Sequence, residues 1–201
     1  MLRIGITGGI GSGKTTVCKI FETLQIPIYY ADDRAKWLMV NSPTLQNGIL
    51  QLFGEKAYTS EGSLNRAHIG SIAFSSPAKL QKLNALVHPA VFVDGENWQQ
   101  EQLALGAPYT LKEAALIYET GSYKTLDKVI VVTAPEGLRI DRVIKRDGLT
   151  AIEVKDRIAR QLPEAEKVEK ADFVIQNDGT HSLIKQVLSI HQELLALLED
   201  D

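Results

Sequence analysis

The order of apolar and polar positions alternates between a strand-like and a helix-like period. Residues 2–6 form a short apolar run, as a buried parallel strand does. Val17, Ile20, Phe21 and Leu24 follow at helical spacing. Residues 26–30 predict a second strand with Asp32 and Asp33 at its carboxyl end, and residues 35–40 begin a helix. Residues 45–53 are amphipathic, and residues 57–65 are a polar connection with room for a short hairpin. From His68 to about Leu105 the pattern is helical in three pieces, 68–74, 77–87 and 91–105. The last break falls at His88-Pro89, where proline disfavours continuing the helix. Residues 114–118 predict a third strand. Residues 128–133 predict a fourth, whose unbroken apolar run fits burial on both faces. Pro135 and Glu136 open a helix that Asp147-Gly148 ends. Thr150 with Glu153 reads as a capping box for a helix that runs to Leu162 and stops at Pro163. Residues 172–176 are a fifth strand, and residues 182–198 a closing amphipathic helix.

Strands alternating with helices predict an α/β fold with a mostly parallel, doubly wound sheet. Ligands bind such sheets beyond the carboxyl ends of the strands. At the end of the first strand stands Gly8-Gly9-Ile10-Gly11-Ser12-Gly13-Lys14-Thr15, a complete G-x-x-x-x-G-K-[ST] phosphate-binding loop. A strand precedes it and a helix follows, which is where its mechanism needs it. The glycines let the backbone curl so that its N–H groups face phosphate oxygens, and the helix adds the positive end of its dipole. Lys14 is expected to reach the β- and γ-phosphates, and the Thr15 hydroxyl to ligate Mg²⁺.

Composition narrows the class. The chain has 201 residues, 44% of them hydrophobic, enough for one α/β domain with insertions. Its formal charge of −3 gives no general attraction to nucleic acid or to an anionic membrane. No apolar run reaches the length of a membrane span and the first segment reads as a strand, so a cytoplasmic location is expected. A single cysteine, Cys18, excludes an intrachain disulfide, and the four histidines lack metal-ligand spacing.

Several reactions share the phosphate loop. The Asn-Lys-x-Asp and Asp-x-x-Gly strings of a GTPase switch do not occur. A small-molecule kinase needs a base near an acceptor hydroxyl and cations to enclose the phosphates. Asp32, at a neighbouring strand end, is the candidate base. The cations are Arg139, Arg142, Lys145, Arg146, Arg157 and Arg160, of which Arg139, Arg142 and Arg146 share one helical face. Arg142 and Arg146 are the candidates for catalysis from a lid.

With these residues in place the chain resembles the dephospho-coenzyme A kinase family over nearly its whole length. The resemblance rests on I-G-I-T-G-G-I-G-S-G-K-T-T at 4–16, Y-A-D at 30–32, L-N-A-L-V-H-P at 83–89 and L-I-Y-E-T-G at 116–121. V-V-T-A-P-E at 131–136, R-x-x-x-R-D-G at 142–148, R-I-A-R-Q at 157–161 and A-D-F-V-I-Q-N at 171–177 follow in family order. Tyr30 stands where the family usually has Asp, and Tyr118 where it usually has Phe.

The resemblance implies a P-loop kinase fold and transfer of the ATP γ-phosphoryl group to the ribose 3′-hydroxyl of dephospho-coenzyme A. It implies one domain in three parts: a nucleotide core at about 1–43, 108–138 and 164–201, a helical acceptor-binding subdomain at about 44–107, and a lid at about 139–163. ATP would meet Gly8, Gly9, Gly11, Ser12, Gly13, Lys14, Thr15, Thr16, Arg142 and Asn177. The acceptor would meet Asp32, His88, Glu119, Arg157 and Gln161, with Mg²⁺ as cofactor. A kinase for another small hydroxylated or nucleotide-like acceptor, or a non-catalytic nucleotide-binding relative, is the alternative.

Overall fold

The computed structural model describes residues 1–199, with the side chain of Phe74 left aside. The last two residues of the expected nucleotide core, 200 and 201, lie outside the described residues. The chain divides into two compact units: residues 1–30 with residues from 101 onward, and residues 31–100.

The first unit is built on a five-stranded sheet of β1 (Leu2–Thr7), β2 (Ile28–Tyr30), β3 (Tyr109–Glu113), β4 (Lys128–Thr133) and β5 (Phe173–Gln176). The order is β2-β3-β1-β4-β5 and every pairing is parallel. Helices α1 (Lys14–Thr23), α6 (Glu136–Asp147), α7 (Ala151–Ala159), α8 (Glu164–Glu169) and α9 (Leu183–Glu199) complete it. Ile4 and Ile6 of β1 and Ile130 and Val132 of β4 pack with Val17, Phe21, Val187 and Leu194 of the flanking helices, all fully buried. A smaller core of Ile117, Val129 and Val131 takes in Val168 of α8. Cys18 lies inside the larger core, and burial, with Glu113 and Glu22 nearby, pushes its thiol well above the usual range.

The second unit holds α2 (Ala31–Asn41), α3 (Pro43–Phe53), α4 (Arg66–Ser75) and most of α5 (Pro77–Ala104). Ile49, Phe53, Ala57, Ile69 and Ala73 form its core, joined by Met39, Leu83 and Leu86. A Cβ on Gly48 would meet Leu86 at 2.6 Å, so glycine admits the close approach of α3 and α5. The connection at 57–65 does contain a hairpin-like bridge, Tyr58 to Leu64.

Three sequence expectations are corrected. The third strand is Tyr109–Glu113, and residues 115–121 form turns instead. Helix α5 runs unbroken through Pro89. Pro89 has no N–H to offer the carbonyl of Ala85, a local cost that the remaining turns of a 28-residue helix absorb. The helix after Thr150 ends at Ala159, and a separate helix, α8, begins after Pro163. The capping box is present as read: Glu153 N–H donates to the Thr150 hydroxyl, and Thr150 N–H to the Glu153 carboxylate at 2.8 Å.

Candidate active site

The phosphate loop joins β1 to α1 at the carboxyl edge of the sheet. Gly11 and Gly13 have φ of 79° and 94°, a region side chains avoid, and Gly13 caps α1. The loop is also packed tightly from behind. A Cβ on Gly8 would collide with the Val132 carbonyl, on Gly11 with the Arg139 carbonyl, and on Gly13 with the Asn177 amide. Lys14 Nζ donates to the Gly8 carbonyl at 3.0 Å, which lays the side chain back along the loop. Ser12 is fully buried, and its hydroxyl has no hydrogen-bond partner among the described residues. Thr15 and Thr16 are exposed in the first turn of α1.

Residues far away in sequence brace the loop. Asn177, just past β5, donates from its side chain to the Ser12 carbonyl at 2.8 Å. Its own N–H is held by the Thr133 carbonyl at 2.8 Å. Arg142 donates to the Asn177 carbonyl at 3.0 Å and to the Gly11 carbonyl at 3.4 Å. Gln161 accepts the Ile10 N–H at 2.9 Å.

The structure therefore gathers Lys14, Arg142, Gln161 and Asn177 around one loop. Arg146 is elsewhere: its side chain is largely exposed and paired with Asp147 at 2.7 Å, a contact that holds the Asp147 carboxyl below its usual range. Arg157 is exposed on α7. Glu119 sits in the turns after β3, where its carboxylate accepts the Leu162 N–H at 2.8 Å and meets Lys167 at 2.9 Å. Burial alone would raise the Glu119 pKa, but hydrogen bonds from Lys167 and Leu162 hold it below the usual value.

In the second unit, Asp32 and Asp33 are both exposed in the first turn of α2, where carboxylates favour the positive helix end. The helix thus begins at Ala31, ahead of the expected start at residue 35. Asp33 pairs with Lys36 at 2.6 Å. His88 is exposed in the middle of α5. Tyr30, the last residue of β2, donates its hydroxyl to Glu22 at 2.9 Å. Burial, then that bond, raises its pKa, so a neutral phenol occupies this strand end.

Sequence reasoning missed three groups. Glu113 ends β3, in register with Ile6 and Tyr30, and is almost buried. The apolar run at 114–118, expected as the third strand, begins just after it. Glu164 and the fully buried Lys167 lie on α8, a helix not expected at all.

A family model described as dephospho-CoA kinase matches residues 2–182. The chain belongs to the dephospho-CoA kinase family. A dephospho-CoA kinase of Chlorobaculum tepidum is 40% identical, over 98% of this chain and 97% of its own length. That of Geobacillus kaustophilus is 34% identical, over 98% and 96%. Among solved structures, a Thermus thermophilus protein superposes with a TM-score of 0.84 at 33% identity, covering 96% of this chain and 97% of its own. The dephospho-CoA kinase of Campylobacter jejuni follows with a TM-score of 0.69 at 27% identity and the same coverage. The phosphate loop, Arg142, Gln161 and Asn177 all lie inside the span that the dephospho-CoA kinase model matches.

Proposed function

We propose that this chain transfers the γ-phosphoryl group of ATP to the ribose 3′-hydroxyl of dephospho-coenzyme A, giving coenzyme A and ADP. The observation that carries this reading is the braced phosphate loop with Lys14 folded along it, in a chain of the dephospho-CoA kinase family. Lys14 leaves the Gly8 carbonyl and neutralises charge on the β/γ-phosphates as the bond to the leaving group breaks. Arg142 lies against the same loop and supplies further positive charge. Asp32, two residues along the chain from the end of β2, takes the proton of the acceptor hydroxyl or orients it. His88 and Arg157, exposed in the structure, are left as acceptor contacts, and Arg146 as a lid cation that reaches the phosphates on closure.

Magnesium fits the donors present. The Thr15 hydroxyl is a hard oxygen, exposed next to Lys14, and Mg²⁺ is commonly held by one or two protein oxygens together with substrate phosphates and water. When bound there it would offset charge on the triphosphate. No helix of the described residues is long and apolar enough to cross a membrane, and the reading places the chain in the cytoplasm. It also assigns acceptor binding to about 44–107 and the lid to about 139–163.

An ADP-release assay with dephospho-coenzyme A, adenosine and nucleoside monophosphates tests the reading. Dephospho-coenzyme A should have the highest kcat/KM, because contacts along the pantetheine arm position the hydroxyl. Equal use of a nucleoside monophosphate would move the chain to another acceptor. No turnover with any acceptor would make it a nucleotide-binding protein.

A further inference from the structure

Gly9 is glycine for a reason that its backbone conformation does not supply. Gly8, Gly11 and Gly13 all have positive φ, and Gly9 does not. What excludes a side chain is a neighbour: a Cβ at Gly9 would collide with the Arg139 guanidinium and lie 2.9 Å from the Glu164 carboxylate. The notch left by Gly9 is filled by an ion pair.

That pair is buried. The side chains of Arg139 and Glu164 are 6% and 17% exposed, and Arg139 Nη1 lies 2.8 Å from Glu164 Oε2. The other carboxylate oxygen accepts the Ala134 N–H at 3.1 Å and the Thr133 hydroxyl, so Glu164 holds the turn that leaves β4. Arg139 Nε finds no acceptor among the described residues. A buried ion pair is a poor source of stability, since apolar side chains of similar volume often do as well. Its location gives it another consequence. A lone carboxylate behind Gly9 would face the bound triphosphate through protein, where water screens charge least.

We propose that Arg139 is a positioning residue for the triphosphate, filling the Gly9 notch and cancelling the Glu164 charge so that the loop turns no negative field toward the phosphates. This rests on the reading that the loop binds ATP. Glu164 is the brace of the β4 turn, and Arg139 makes that brace compatible with a polyanion. The pair joins α6 to α8 and meets the loop at Gly9.

The test is calorimetric titration of a non-hydrolysable ATP analogue with Mg²⁺, without acceptor, into wild type, R139Q, R139K, E164Q and R139Q/E164Q, with melting temperatures alongside. R139Q should bind about tenfold more weakly or worse, and the loss should shrink as salt rises. E164Q and R139K should stay within about threefold of wild type, and the double variant should regain most of what R139Q lost. E164Q is expected to melt earlier without a matching loss of affinity. Affinity losses that track melting temperature across the set, or a double variant no better than R139Q, would overturn the proposal. If R139Q does not fold, a double variant about tenfold weaker than E164Q has the same force. Wild type that binds the analogue but does not phosphorylate dephospho-coenzyme A would refute the acceptor assignment and leave this inference standing. Wild type that binds no analogue would refute both.

Discussion

The side-chain oxygen of Gln161 accepts the backbone N–H of Ile10 at 2.9 Å, joining the end of the α6–α7 excursion to the phosphate loop across 151 residues of chain. The next residue, Leu162, is fixed to Glu119, so two consecutive positions are bolted to different parts of the first unit. Gln161→Leu leaves a part-buried N–H without its acceptor, a loss of about 1–3 kcal/mol. Steady-state kinetics should show kcat/KM for ATP falling about tenfold with little change in the KM for acceptor. A change confined to the acceptor KM would assign Gln161 to the acceptor.

Lys14→Ala should fold normally, because the Lys14 ammonium donates to the Gly8 carbonyl, a bond within its own loop. Its kcat should drop about a hundredfold or more, roughly 2.7 kcal/mol of barrier. Near-normal turnover in a folded variant would refute the phosphate-loop mechanism.

Asp32→Asn should retain ATP binding while turnover collapses, since shape is kept and basicity lost. Asp33→Asn should cost far less, because Asp33 is engaged with Lys36 on the surface. The reverse order would place the base one residue further along α2.

Arg142 and Arg146 should separate. Arg142→Ala removes bonds to Gly11 and Asn177, so it should weaken ATP binding and lower kcat together. Arg146→Ala frees only an exposed pair with Asp147, worth less than about 1 kcal/mol. Its melting temperature should hold, and a fall in kcat alone would show that Arg146 reaches the phosphates when the site closes.

Glu119 carries an acid signature. Its folded-state pKa lies below the ordinary 4.5, so its contribution is present above that value and is lost as pH falls through the folded-state pKa. Wild-type melting temperature should therefore fall below about pH 4.5 more steeply than that of Glu119→Gln. The variant should also melt earlier at neutral pH, because it leaves the fully buried Lys167 without its partner. Parallel pH profiles would contradict the assignment.

Legibility in the sequence followed how local the determinants are. The phosphate loop, β4 and the Thr150 capping box are each specified within a few residues, and they appear where they were read. Lys112 and Glu113 interrupt the apolar run at 109–113, while 114–118 offers a smoother one, so the sequence alone points to the later segment as the third strand. Pairing with β1 and β2 decides that strand, and a single sequence does not display it. Pro89 is a sound local signal for a break, outweighed by the helix on both sides. At the candidate site, Lys14 and Asn177 stand in recognisable motifs, and both contact the loop. Glu113, Glu164 and Lys167 have meaning only through partners distant in sequence.

Asn177 meets Ser12 across 165 residues, and β1 lies between β3 and β4, both made after it. During synthesis the loop leaves the ribosome long before its brace, and the central strand waits with both edges unpaired. A chain interrupted before Asn177 carries the whole phosphate motif without the amide that holds it in shape. A phosphate loop held in shape thus reports that all five strands have been made, before α9 adds Val187 and Leu194 to the core.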